Sequence, residues 1–121
     1  MAKNDSCKIH FIKALSGDCF LLEFSDGTCI LIDCGYKSTY EVELKPLLRK
    51  LCSKGCRISL LVVTHMDEDH MGGAVALIED NGDNNAPNII AIDNIWFNGI
   101  FEVCQNYKYV LPHLVDCLSD K

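Results

Sequence analysis

Six consecutive residues of this 121-residue chain, 65–70, hold two imidazoles and three carboxylates: His65, Asp67, Glu68, Asp69 and His70. Imidazole nitrogen and carboxylate oxygen together suit zinc, manganese or iron, and oxygen-rich sets lean toward the harder ions. His65, Asp67 and Asp69 alternate with Met66 and Glu68. An extended loop would turn those three to one side, and a bend at Asp69–His70 would divide the ligands between two metals. Gly72 and Gly73 then remove side chains where a helix should begin, which lets backbone or substrate come close. A solvated acidic turn ahead of a helix would explain the carboxylates. It requires neither the two histidines nor the two glycines, so the metal reading is preferred.

The elements that position this cluster follow from hydrophobic patterning. Residues 58–64 (I-S-L-L-V-V-T) form an apolar, strand-sized run that stops at Thr64, directly before His65. Ligands in open α/β sheets collect beyond the carboxyl ends of strands, where this cluster would lie. Upstream, residues 8–15 and 19–24 read as strands, and Ser25-Asp26-Gly27-Thr28 is a hairpin signal. Residues 29–33 (C-I-L-I-D) form a third strand, expected to be buried on both faces and to close in Asp33-Cys34-Gly35. A helix is expected over 39–53, with Ser38 and Glu41 as a capping box and Pro46 in the first regular turn. A second helix is expected over 71–79, a polar loop over 81–88 and a fifth strand over 89–97, with Trp96 anchoring the core edge. The tail has mixed signals. The order β-β-β-α-β-α-β describes an α/β sheet with packed helices, in one domain spanning 1–121.

Thr64-His65-Met66-Asp67-Glu68-Asp69-His70-Met71-Gly72-Gly73 resembles the metallo-β-lactamase signature H-x-H-x-D-H and the small residues after it. Ile30-Leu31-Ile32-Asp33-Cys34-Gly35 resembles that superfamily's earlier motif, an apolar strand closing in Asp-x-Gly. Residues 15–22 are similar to the Gly-Asp opening in the hydrolase domain of bacterial DNA-uptake channel proteins. The resemblance covers about residues 7–97 and is strongest at 28–35 and 61–73. It implies the N-terminal half of an αββα sandwich. It also implies two divalent metal ions, zinc foremost with manganese or iron as alternatives. His65 and Asp67 would hold the first, and Asp69 and His70 the second, with Asp69 also serving catalysis. An activated water would attack a phosphodiester or acyl bond, and Asp33 and Thr64 would support the metal loop from behind. Asp67 stands where the signature has a second histidine; flavodiiron proteins also carry a carboxylate there. The later ligands of the superfamily have no counterpart: His113, the only histidine after His70, lacks a glycine-rich setting. The chain is thus expected to be a truncated domain with little turnover alone. A non-catalytic binding or regulatory module of the same fold is the alternative.

Composition bounds the rest. The net charge of −6 leaves no cationic face for nucleic acid visible in composition, although a phosphodiester substrate, small or nucleic-acid, remains compatible with an acidic cleft that binds metals. The eight cysteines include no C-x2-C pair, and no export signal precedes them. Reduced thiols in a cytoplasmic protein are therefore expected. No apolar run is long enough to span a membrane. Half of a sandwich leaves a sheet face uncovered, which points to self-association or a partner chain.

Overall fold

The computed structural model describes residues 6–13, 18–64, 68–83 and 85–97, with residues 68–70 described by backbone alone. Three short strands come first: β1 (Cys7–Phe11), β2 (Phe20–Phe24) and β3 (Thr28–Ile32). β1 and β2 pair antiparallel, as do β2 and β3. The hairpin between β2 and β3 closes because Asp26 Oδ1 accepts from the Thr28 backbone N–H at 2.9 Å and from the Thr28 hydroxyl at 2.6 Å. Gly27 takes the left-handed conformation the turn needs, at φ +93°.

The next crossover is helical from Lys37 to Ser53 in three pieces: α1 (Lys37–Thr39), a π-helical stretch (Tyr40–Leu44) and α2 (Lys45–Ser53). Pro46 explains the change of winding. It has no N–H to return to Val42, and its ring would collide with that carbonyl in a regular helix. The wider turn lets the Lys45 N–H reach back to the Tyr40 carbonyl, and α2 starts with proline in its first turn. The expected capping box does not form: Tyr36 is the N-cap and no side chain caps it. Ser38 therefore lies inside α1 and not ahead of it.

β4 (Arg57–Val63) then lies parallel to β3, α3 (Glu68–Asn81) returns the chain, and β5 (Ile95–Phe97) lies parallel to β4. The sheet order is β1-β2-β3-β4-β5. Two successive right-handed crossovers stepping in one direction put both helical layers on one face. Leu21, Cys29, Leu31, Ile58, Leu61 and Val63 point to that face and pack with Tyr40, Leu44, Leu48, Leu51, Met71 and Leu77 into a single buried cluster.

Three expectations change here. The 29–33 run is covered on one side only, since Cys29 and Leu31 are buried while Ile30 and Ile32 are half-buried. The fifth strand also shrinks to three residues. Ile89, Ile90 and Ile92 are buried, but only an isolated bridge between Ile92 and Ile58 joins this stretch to β4, and the backbone of Ile89 and Ile90 bonds elsewhere. The Asn81 side chain accepts from the Ile89 and Ile90 N–H groups at 2.9 and 3.1 Å and donates to the Ile90 carbonyl at 2.8 Å. Trp96 is not a core anchor but stands 65% exposed.

Candidate metal-loop scaffold

The carboxyl ends of β3 and β4 lie side by side, and the chain leaves each through a short connection. After β3, Asp33 turns into the left-handed region at φ +60°, which few residues other than glycine, asparagine and aspartate tolerate. Its N–H still bonds to the Val62 carbonyl at 2.7 Å. The turn aims a 1% exposed carboxylate at the neighbouring strand end. There Oδ1 accepts from the Thr64 backbone N–H at 2.8 Å, and Oδ2 accepts from the Thr64 hydroxyl at 2.6 Å. Both oxygens thus hold Thr64, the last described residue before His65. Hydrogen bonds to an ionised acceptor are the stronger kind, about 1.5–3 kcal/mol each.

A second tie lies beyond the loop. The Gly73 N–H donates to the Gly35 carbonyl at 2.8 Å. A Cβ on Gly73 would fall 2.2 Å from the Cys34 carbonyl oxygen, so α3 rests backbone-on-backbone against residues 33–35. Residues 65–67 are therefore bracketed, by Asp33 on one side and by the Gly73–Gly35 contact on the other. The glycine pair was the signal in the sequence. Its partners, the carbonyls of Cys34 and Gly35, carried none.

Of the expected metal ligands, His65 and Asp67 lie outside the described residues. Asp69 and His70 fall on the first turn of α3, so the extended course expected through Asp69 holds at most as far as Asp67. Carboxylates favour the positive end of a helix, which explains why α3 starts at Glu68 and not at Met71. Among the described residues no three His, Cys, Asp or Glu side chains form a group that could hold a metal.

The surroundings suit a structural role for the nearby thiols. Cys34 is fully buried, and burial, then the charges of Cys19 and Asp33, push its thiol well up. Burial followed by the Asp33 charge raises Cys19 to about 12. Both therefore behave as small apolar side chains and not as thiolate ligands or nucleophiles. All six described cysteines are free thiols; Cys104 and Cys117 lie outside the described residues. A hollow of about 290 Å³, lined by Val62, Val63, Thr64 and Trp96, opens beside the same strand end. His10 serves elsewhere, with Nε2 3.0 Å from Glu23 Oε1, and His113 lies outside the described residues.

Residues 12–100 match the metallo-beta-lactamase superfamily. No curated protein matches the chain. No helix among the described residues is long and apolar enough to cross a membrane.

Proposed function

The chain belongs to the metallo-β-lactamase superfamily, and from that premise we propose that it carries one side of the metal site of a hydrolase directed at phosphodiesters. His65 and Asp67 hold one divalent cation, and Asp69 and His70 a second, with zinc preferred over manganese or iron. Asp69 also serves the catalytic step. Bound there, the cations supply Lewis acidity and a nucleophilic water near neutral pH. The chain's own residues position them: Asp33 fixes Thr64, Thr64 fixes the direction in which His65 leaves the strand, and Gly73 seats the helix that bears Asp69 and His70. The donor set of imidazoles and carboxylates suits such cations, and the buried Asp33 clamp behind the loop is the kind of outer support that metal ligands need. That clamp is the observation that carries the reading.

The fold reading goes with it: one half of an αββα sandwich, of the kind found in DNA-uptake channel hydrolases, placed in the cytoplasm in keeping with its free thiols. Without the ligands of a second half, the chain alone binds metal weakly and turns over little. The alternative is a non-catalytic binding or regulatory module of the same fold.

Calorimetric titration with zinc and with manganese tests the site. His65→Ala and Asp69→Ala should abolish binding. Asp33→Asn keeps size and tolerates the left-handed backbone, so it should fold while weakening metal affinity by about 10–100-fold. Unchanged affinity in Asp33→Asn would remove the clamp from the site. Adding the second half of the domain and comparing bis-p-nitrophenyl phosphate with nitrocefin distinguishes phosphodiester from lactam hydrolysis. No metal-dependent turnover of either would favour the non-catalytic module.

A further inference from the structure

Two of the free thiols lie together at the amino ends of β3 and β4, the end of the sheet away from the Asp33–Thr64 clamp. Cys29 is the second residue of β3, and Cys56 directly precedes β4. Cys29 pairs with Ile58 in the β3–β4 register, and the Arg57 N–H donates to the Gly27 carbonyl at 2.9 Å. Alternation turns Cys56, two residues before Ile58, to the same helical side of the sheet as Cys29. Both belong to the buried cluster, Cys29 at 0% and Cys56 at 9% exposure. Burial first, and then the neighbouring Cys56 sulfur, push the Cys29 thiol up to about 12. Cys56 also lines a hollow of about 250 Å³ with Lys8, Glu23 and Lys54. The Lys54 ammonium is held first by Glu23 and then by the charges of Cys56 and Cys29.

We propose that Cys29 and Cys56 form a two-coordinate site for a soft monovalent cation, copper(I), opening onto that hollow. Thiolates are the ligands that select such ions. Spacing decides between a bridging ion and a disulfide. One strand across, about 4.8 Å, and two residues along, about 6.6 Å, put the two α-carbons about 8 Å apart. A disulfide needs them within about 7 Å. An ion that holds each sulfur at about 2.3 Å, as zinc does, places the sulfurs about 4.6 Å apart and accepts the wider span. Ligand number decides between ions. Structural zinc takes four protein ligands, and among the described residues no three His, Cys, Asp or Glu side chains form a metal-holding group. Glu23, opposite Cys29 in the β2–β3 register, is taken up by His10 and Lys54, each at 3.0 Å. Charge agrees. Copper(I) displaces both thiol protons to solvent, which a coordinating metal does even to a buried thiol. The resulting bis-thiolate complex carries one negative charge. That charge and Glu23 are matched by Lys8 and Lys54, whereas a divalent ion would leave the cluster positive. The site is remote from residues 65–70, so the proposal stands or falls independently of the hydrolase reading.

The test is anaerobic titration of the full chain with copper(I) in competition with the chromophoric chelator bathocuproine disulfonate. The chain carries Cys7→Ser, Cys52→Ser, Cys104→Ser and Cys117→Ser, which removes the other thiols except Cys19 and Cys34. We expect one equivalent of copper(I) to bind, with an ultraviolet thiolate-to-copper charge-transfer band. Cys56→Ala and Cys29→Ala should each weaken affinity at least a hundredfold and remove the band, while Cys19→Ala leaves both unchanged. Cys56 sits at the margin of the core, so Cys56→Ala should keep its circular dichroism and carries the test even if Cys29→Ala unfolds. No copper(I) held against the chelator overturns the proposal. So does binding that survives Cys56→Ala, or binding that Cys19→Ala removes.

Discussion

Asp33 and Gly73 do opposite things to the same loop. Asp33 contributes a side chain where the backbone is strained, and Gly73 contributes none where two backbones meet. In an open helix, Gly→Ala stabilises by up to about 1 kcal/mol because alanine restricts the unfolded chain and favours helix. At Gly73 the new Cβ would meet the Cys34 carbonyl oxygen at 2.2 Å, and backbone cannot rotate away as a flexible side chain can. Gly73→Ala should therefore destabilise, by about 1–3 kcal/mol as for other overpacked sites. The measurement is urea unfolding, with a lower midpoint at unchanged slope. A higher midpoint would show that α3 does not rest on residues 33–35.

At the scale of elements, α3 and the segment after it depend on one buried amide. Asn81, 4% exposed, ends α3 and gives residues 89–90 the hydrogen bonds a strand neighbour would otherwise supply. Asn81→Ala strands two buried N–H groups and a carbonyl, each worth about 1 kcal/mol or more when left unmet. We expect a loss of about 3 kcal/mol and faster amide exchange at Ile89 and Ile90. Exchange that stays slow there would mean other partners hold the segment. The same amide explains why the fifth strand was overestimated from sequence. Apolar residues 89–92 carry the hydrophobicity of a strand, but a side chain takes the backbone groups of Ile89 and Ile90 and only a single bridge at Ile92 joins β4, and no periodicity reports that.

For the whole molecule, acid should be the weakening condition. Glu23 sits between His10 Nε2 and Lys54 Nζ, each at 3.0 Å. The hydrogen bond from His10, then that from Lys54, hold its carboxyl below the usual value of 4.5. Asp80 behaves alike. Burial pushes its carboxyl up, but the Tyr40 hydroxyl and Lys45 outweigh this and leave it below its ordinary value. A carboxylate with a lowered folded-state pKa adds stability that is complete above its unfolded pKa and disappears as pH falls through the folded one. Unfolding free energy should therefore be flat near neutrality and decline below about pH 4.5. Glu23→Gln should flatten that decline; an unchanged acid limb would show that the His10–Glu23–Lys54 cluster does not form in solution.

The residue order alone decided the hairpin at Asp26–Gly27, the placing of Pro46 early in a regular helix and the membership in a superfamily. These are local: a turn, a missing N–H or a motif spacing acts within a few residues. Strand alternation was legible, but which side of the sheet is covered was not, because an apolar run reads the same whether one layer or two lie against it. Tertiary structure decided that both crossovers fall on one side, that Trp96 stands out from the core and that Asp33 reaches 31 residues ahead to Thr64. It also decided that Gly73 meets Cys34, a contact between backbones in which neither side chain takes part. Such pairings depend on which strands become neighbours, and that is set by the packing of the whole sheet.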